Sequence, residues 1–132
     1  MITLFLISGC SRQEDIVEIK DVAFRTQIDE IYLNTKDYMG KTIKLEGIFK
    51  KEQSGGQEFY YVIRYSPGGC CGTDGWTGFM VRWNEKNYPE PESWVEAIGV
   101  LNSFWLNGNP QLYLDLSSLS VLNKRGMEFV IR

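Results

Sequence analysis

Cys70 and Cys71 are adjacent in the run Gly68-Gly69-Cys70-Cys71-Gly72-Thr73-Asp74-Gly75. Two thiols and a carboxylate so close together are open to four chemistries. The first is a vicinal disulfide. Adjacent Cα atoms sit about 3.8 Å apart across a trans peptide, whereas ordinary disulfides span roughly 4.4–6.8 Å. Such a ring is strained and easily reduced, and the flanking glycines let the backbone absorb distortion. The second is a dithiol that holds a soft metal ion or metalloid, because thiolates suit copper(I), zinc and trivalent arsenic. Two ligands do not close a tetrahedral site, so Asp74 or a second chain supplies the rest. The third is redox turnover, although redox pairs usually carry a Cys-x-x-Cys spacing that is missing here. The fourth is inert packing of a turn. Arg64, a few residues upstream, is placed to pair with Asp74 and hold the loop.

The chain has 132 residues, three cysteines and no histidine. The lack of histidine excludes His-based metal sites, His general bases and His pH switches. No Ser-His-Asp set, phosphate-cradling Gly-x-x-x-x-Gly-Lys loop or paired-carboxylate signature is present. Formal net charge is −3, which opposes a nucleic-acid partner, since such proteins need a basic face to replace phosphate counterions. Tyr60, Tyr61, Trp76, Phe79, Trp83, Trp94 and Trp105 are dense enough to form a stacking surface. Arg64 and Arg82 are the only basic residues in the strands 58–66 and 77–83 that carry Tyr60, Tyr61, Phe79 and Trp83, so the aromatics read better as core and end-covering residues than as a base-stacking platform.

The first ten residues, MITLFLISGC, run apolar and then small into Cys10, and a polar Ser-Arg-Gln-Glu-Asp stretch follows. This pattern resembles a bacterial lipobox, in which the cysteine becomes the lipidated N-terminus. The expected organisation is a lipoprotein signal at residues 1–10, a tether at 11–16 and one domain at 17–132. No apolar stretch approaches the ~20 residues of a membrane-spanning helix. The expected location is the cell envelope, lipid-anchored on the extracytoplasmic side of the membrane, where thiols meet an oxidising environment.

The elements that must position the cysteine loop follow from periodicity. Residues 17–24 alternate weakly, as in a strand. Residues 26–40 read as a helix, with Thr26 or Asp29 as cap, Ile28, Ile31 and Tyr32 as its apolar stripe, and Gly40 as its end. Strands are predicted over 41–51, 58–66, 77–83, 94–105 and 111–122, with polar turns between them. Gly47 and Gly99 interrupt two long strands, as where a barrel strand bends sharply. The predicted fold is mainly β: a small five-stranded OB-fold-like Greek-key barrel with one short N-terminal helix. A β-sandwich is the alternative.

The series Tyr38-Met-Gly40-Lys41-Thr-Ile43-x-x-x-Gly47, then Ile63-Arg64 ahead of Cys70-Cys71-x-x-Asp74, then Trp94-Val95-x-x-x-Gly99 resembles the C-terminal soluble domain of an uncharacterised family of bacterial membrane proteins. That family is often encoded beside a predicted permease. The resemblance runs over roughly residues 24–122, and the double cysteine with its aspartate is its most specific part. It implies a barrel fold, a site at the cysteines, and a membrane permease or other envelope protein as partner.

The expected function is that of an extracytoplasmic binding or accessory domain. Its ligand site comprises Cys70, Cys71 and Asp74 with Arg64 in support, and it is expected to sense or bind a soft metal ion, a metalloid or a thiol ligand, with a soft metal ion on the two cysteines as the one expected cofactor class. A thiol redox enzyme of the envelope and an oligonucleotide-binding module are the alternatives.

Overall fold

The computed structural model describes residues 16–66, 75–85 and 87–130. Cys10, Cys70, Cys71 and Asp74 lie outside the described residues.

One long strand closes the sheet on itself. β2 (Thr42–Ser54) runs antiparallel to β5 (Trp94–Leu106) over Thr42–Ile48 and antiparallel to β3 (Gln57–Ser66) over Ile48–Ser54. The change of partner falls at Gly47 and Ile48. A Cβ on Gly47 would stand 2.6 Å from the Ile63 carbonyl oxygen, so only glycine lets β3 approach where β2 leaves one neighbour for the next. The rest of the barrel follows by pairing. β3 is antiparallel to β4 (Gly75–Arg82), β4 is parallel to β6 (Asn109–Val121), and β6 is antiparallel to β5. The chain crosses from β4 to β5 and returns beside β4, which is the OB-like Greek-key order. Gly99 sits at a register shift in the β5–β6 ladder, where a Cβ would meet the Asp115 carbonyl at 2.7 Å. The fold class and the roles of both glycines are as the sequence predicts.

The N-terminal segment departs from the predicted pattern. β1 is only Ile16–Glu18 and lies parallel to Thr42–Lys44 of β2. A 3-10 turn follows at Asp21–Ala23, and helix α1 starts at Phe24 and ends at Leu33. A single turn, α2 (Thr35–Tyr38), follows it. The strand expected over 17–24 is therefore cut short. Phe24, which completed that alternation, belongs to the helix and packs with Ile28 and Ile31 into the core. Neither Thr26 nor Asp29 caps α1, because Ala23 occupies the N-cap position without a side-chain bond.

Inward side chains alternate along each strand. Ile43, Leu45, Phe49, Val62, Phe79, Val95, Leu101 and Leu114 fill the barrel beneath α1. At the opposite end Tyr88, from the loop between β4 and β5, stacks on Tyr60 at 3.9 Å and on Phe49 at 5.9 Å. A second cluster lies on the outer face, where Ile48, Ile63 and Trp94 occupy one rung across three strands. These outward residues can be apolar because the C-terminal segment covers them. Leu122 N–H donates to the Trp94 carbonyl, and the Tyr65 backbone exchanges bonds with Glu128 and Val130.

Candidate functional site at the β3–β4 end of the barrel

Ser66 and Gly75 are the last register pair of the β3–β4 ladder. Residues 67–74 therefore leave and rejoin the barrel on one rung. The described residues around that rung form the base of any site built on the cysteine loop.

Arg64 dominates this base. It shares the inward parity of Tyr60 and Val62, yet it is charged and only 1% exposed. Its guanidinium turns into the seam that opens where β2 parts from β3. There Nε donates to the Glu46 carbonyl at 3.1 Å. The guanidinium carbon lies 4.2 Å from the centre of the Phe24 ring and 5.0 Å from that of Trp94. Arginine tolerates such burial because its planar, weakly hydrated cation stacks on aromatic faces. Nη1 approaches Asp21 Oδ1 to 2.8 Å. The approach is short but off the N–H axis, so Nη1 gains an ion-pair contact without an aligned hydrogen bond.

The aromatic and acidic neighbours are fixed in turn. Trp94 Nε1 donates to Glu46 Oε1 at 3.0 Å. Arg125 lies over the Trp94 ring at 5.7 Å and donates to Glu128 and to the Glu92 carbonyl. Gly126 passes so close to Trp94 that a Cβ would stand 2.8 Å from the indole. The seam is thus closed on one side by the C-terminal segment and on the other by β1 and the 3-10 turn carrying Asp21. A cavity of about 220 Å³ remains beside Arg64, lined by Glu18, Ile19, Lys20, Asp21, Lys44, Leu45 and Glu46.

The other flank of the rung is aromatic. Trp76 is 40% exposed and meets Tyr61 edge to face at 4.9 Å. With Tyr32 and Asp29 of α1, Gly78 and Met80 of β4, and Gln111 of β6, they line a groove of about 260 Å³. The remaining aromatics go elsewhere. Phe79 and Trp94 are buried, Tyr60 faces Tyr88 at the opposite end, and Trp105 stands 72% exposed near the β5–β6 turn. They do not make one stacking face.

Of the predicted site residues, Arg64 lies at the end of β3 that leads into the cysteine loop, and its described carboxylate neighbour is Asp21. Sequence reasoning missed Asp21, Glu46 and Trp94 as its surroundings. Weak alternation over 17–24 places Asp21 in a strand, and nothing local links it to β3. The one available signal was an arginine inside the run Phe59-Tyr60-Tyr61-Val62-Ile63-Arg64, where a charge on the inward parity needs a partner.

No group of three Cys, Asp or Glu residues among the described residues is disposed to hold a metal ion. No helix among them is long and apolar enough to cross a membrane. A comparison with curated proteins returns no match. Among solved structures, the dimeric N-terminal domain of PriB protein from Thermoanaerobacter tencongensis aligns at 21% identity. The alignment covers 63% of this chain and 97% of that one, with a TM-score of 0.37, an overlap too loose to carry any argument. The family model described as DUF1980 C-terminal domain matches residues 8–123, and the chain belongs to that family.

Proposed function

We propose that this chain is a lipid-anchored, extracytoplasmic binding or accessory domain that offers Cys70 and Cys71 to a soft metal ion, a metalloid or a thiol ligand. Asp74 serves as an additional ligand and Arg64 supports the loop from below. The Cys-Cys-x-x-Asp motif is the element expected to define the site. A membrane permease or other envelope protein is the partner, reached through the N-terminal lipid on Cys10.

The observation that carries this reading is the pairing of Ser66 with Gly75. A closed barrel fixes both ends of the 67–74 connection on one rung, and binding groups are commonly carried on loops held by such a scaffold. Successive side chains of an extended strand point to opposite faces. A glycine-rich connection lifts that restriction and lets neighbouring thiols act together. The net charge of −3 favours a small or protein ligand over nucleic acid.

The location is tested by labelling in a bacterial host. The protein should partition into detergent and incorporate labelled fatty acid, and Cys10→Ala should abolish both. Unlabelled wild-type protein in the cytosolic fraction would overturn the envelope assignment. Micromolar binding of single-stranded DNA or RNA with a steep salt slope would favour the oligonucleotide-binding alternative.

A further inference from the structure

We infer that the cavity beside Arg64 is a binding site for a small carboxylate, which takes the place of the Asp21 side chain on the guanidinium. It shares Arg64 with the reading above and does not depend on the chemistry of the cysteines.

Three observations carry the inference. First, Arg64 is a buried cation at the cavity wall whose Nη1 has no aligned hydrogen-bond acceptor among the described residues. A guanidinium presents its N–H groups in a planar fork that matches a coplanar carboxylate through two parallel bonds. Asp21 supplies the charge off that axis, so the directional part of the fork is unused at Nη1. A free carboxylate is not bound by the backbone of a 3-10 turn and can align where Asp21 does not.

Second, Asp21 can leave. Its side chain is 55% exposed, and it sits on a three-residue turn without a side-chain cap. The main side-chain link holding this stretch is Gln27, which accepts from Lys20 N–H and donates to the Glu18 carbonyl. Rotation of Asp21 into water therefore leaves that link intact.

Third, the lining chooses the ligand class. With Asp21 turned out, the cavity wall carries Arg64, Lys20 and Lys44 against Glu18 and Glu46. Glu46 is held by the Trp94 indole, Glu18 lies 4.0 Å from Lys20, and Lys44 lies 3.6 Å from Glu96. With Glu96 counted beside Lys44, three cations face three carboxylates once Asp21 turns out, and a monoanion restores the single negative charge that Asp21 takes away. The two remaining glutamates disfavour a phosphate dianion, because like charges in a confined site repel strongly. A space of about 220 Å³ admits an acid of a few carbon atoms.

The test uses the full chain and follows the Trp94 indole N–H and the Arg64 Nε–H by heteronuclear NMR. Sodium acetate, sodium propionate and sodium phosphate are each titrated against sodium chloride at constant ionic strength. The carboxylates should give saturable shifts of both signals, and phosphate and chloride should not. Asp21→Asn removes the competing charge while keeping the side-chain shape, and should lower the half-saturating acetate concentration about tenfold. Lys44→Gln, at the cavity rim, should raise it several-fold with the rest of the spectrum unchanged. A response to acetate no different from that to chloride overturns the proposal. So does saturation by phosphate at lower concentration than by either carboxylate, or an Asp21→Asn protein that responds like the wild type.

Discussion

Arg64 and Asp21 meet at 2.8 Å although one is sealed in the barrel wall and the other lies on a half-exposed turn of the N-terminal segment. The contact ties β1 and the start of α1 to the seam between β2 and β3. It is the described ion pair with the most buried partner, and it joins two parts of the chain that share no strand pairing.

This asymmetry sets its energetic weight. Exposed pairs contribute about 0–1 kcal/mol, while removing one partner of a fully buried pair costs about 3–5 kcal/mol. Asp21→Asn should therefore lower stability by about 1–2 kcal/mol, read as a fall in the urea midpoint with an unchanged slope. An unchanged midpoint would mean that Phe24, Ile28 and Ile31 hold the segment without help from the pair.

The two kinds of glycine in this chain predict different losses. Gly99→Ala drives a Cβ into the Asp115 carbonyl at the β5–β6 register shift and should cost about 3 kcal/mol or prevent folding, as overpacking does. Gly40 has φ +86° with nothing near its missing side chain. Gly40→Ala should cost about 1–2 kcal/mol from backbone strain alone. Thermal unfolding of both variants checks the order, and a larger loss at Gly40 would contradict the close approach seen at Gly99.

At the opposite end of the barrel, the Tyr60 hydroxyl donates to Glu58 Oε1 at 2.7 Å. That bond, helped by Gln53 and Lys51, holds the Glu58 carboxyl below its ordinary range. The same bond, aided by burial, pushes the Tyr60 phenol up to about 12. The signs follow by linkage. The contribution from Glu58 is present above the ordinary carboxylate pKa and is lost as pH falls through its depressed value. The contribution from Tyr60 is present below pH 10 and is lost as pH rises through about 12. Tyr60→Phe should move the NMR-detected titration of Glu58 upward toward the ordinary range. An unmoved Glu58 would show that Lys51 and Gln53 suffice.

The barrel was legible in the sequence because its signals are local. Ile43, Leu45 and Phe49 alternate with Lys44, Glu46 and Lys50, and the two mid-strand glycines mark the sharp bends. The N-terminal segment was not legible, because weak alternation over 17–24 resembles a strand while its outcome depends on distant packing. Phe24 turns helical to cover the barrel end and to stack on Arg64, and no residue near Phe24 announces that. The pairing of Arg64 with Asp21 was hidden for the same reason. Ile48 and Ile63, outward yet buried, become intelligible only once the C-terminal segment crosses over Trp94.

The central claim is that Cys70 and Cys71 act as one ligand. Its most direct measurement is thiol counting on the mildly reduced full chain carrying Cys10→Ser, before and after addition of a monosubstituted trivalent arsenical. The account predicts that one arsenical consumes both thiols at a stoichiometry of one per chain, and that Cys70→Ala or Cys71→Ala alone abolishes tight capture while the barrel stays folded. Two thiols that remain titratable in the presence of excess arsenical, or single-cysteine variants that capture it as well as the pair does, would contradict the account.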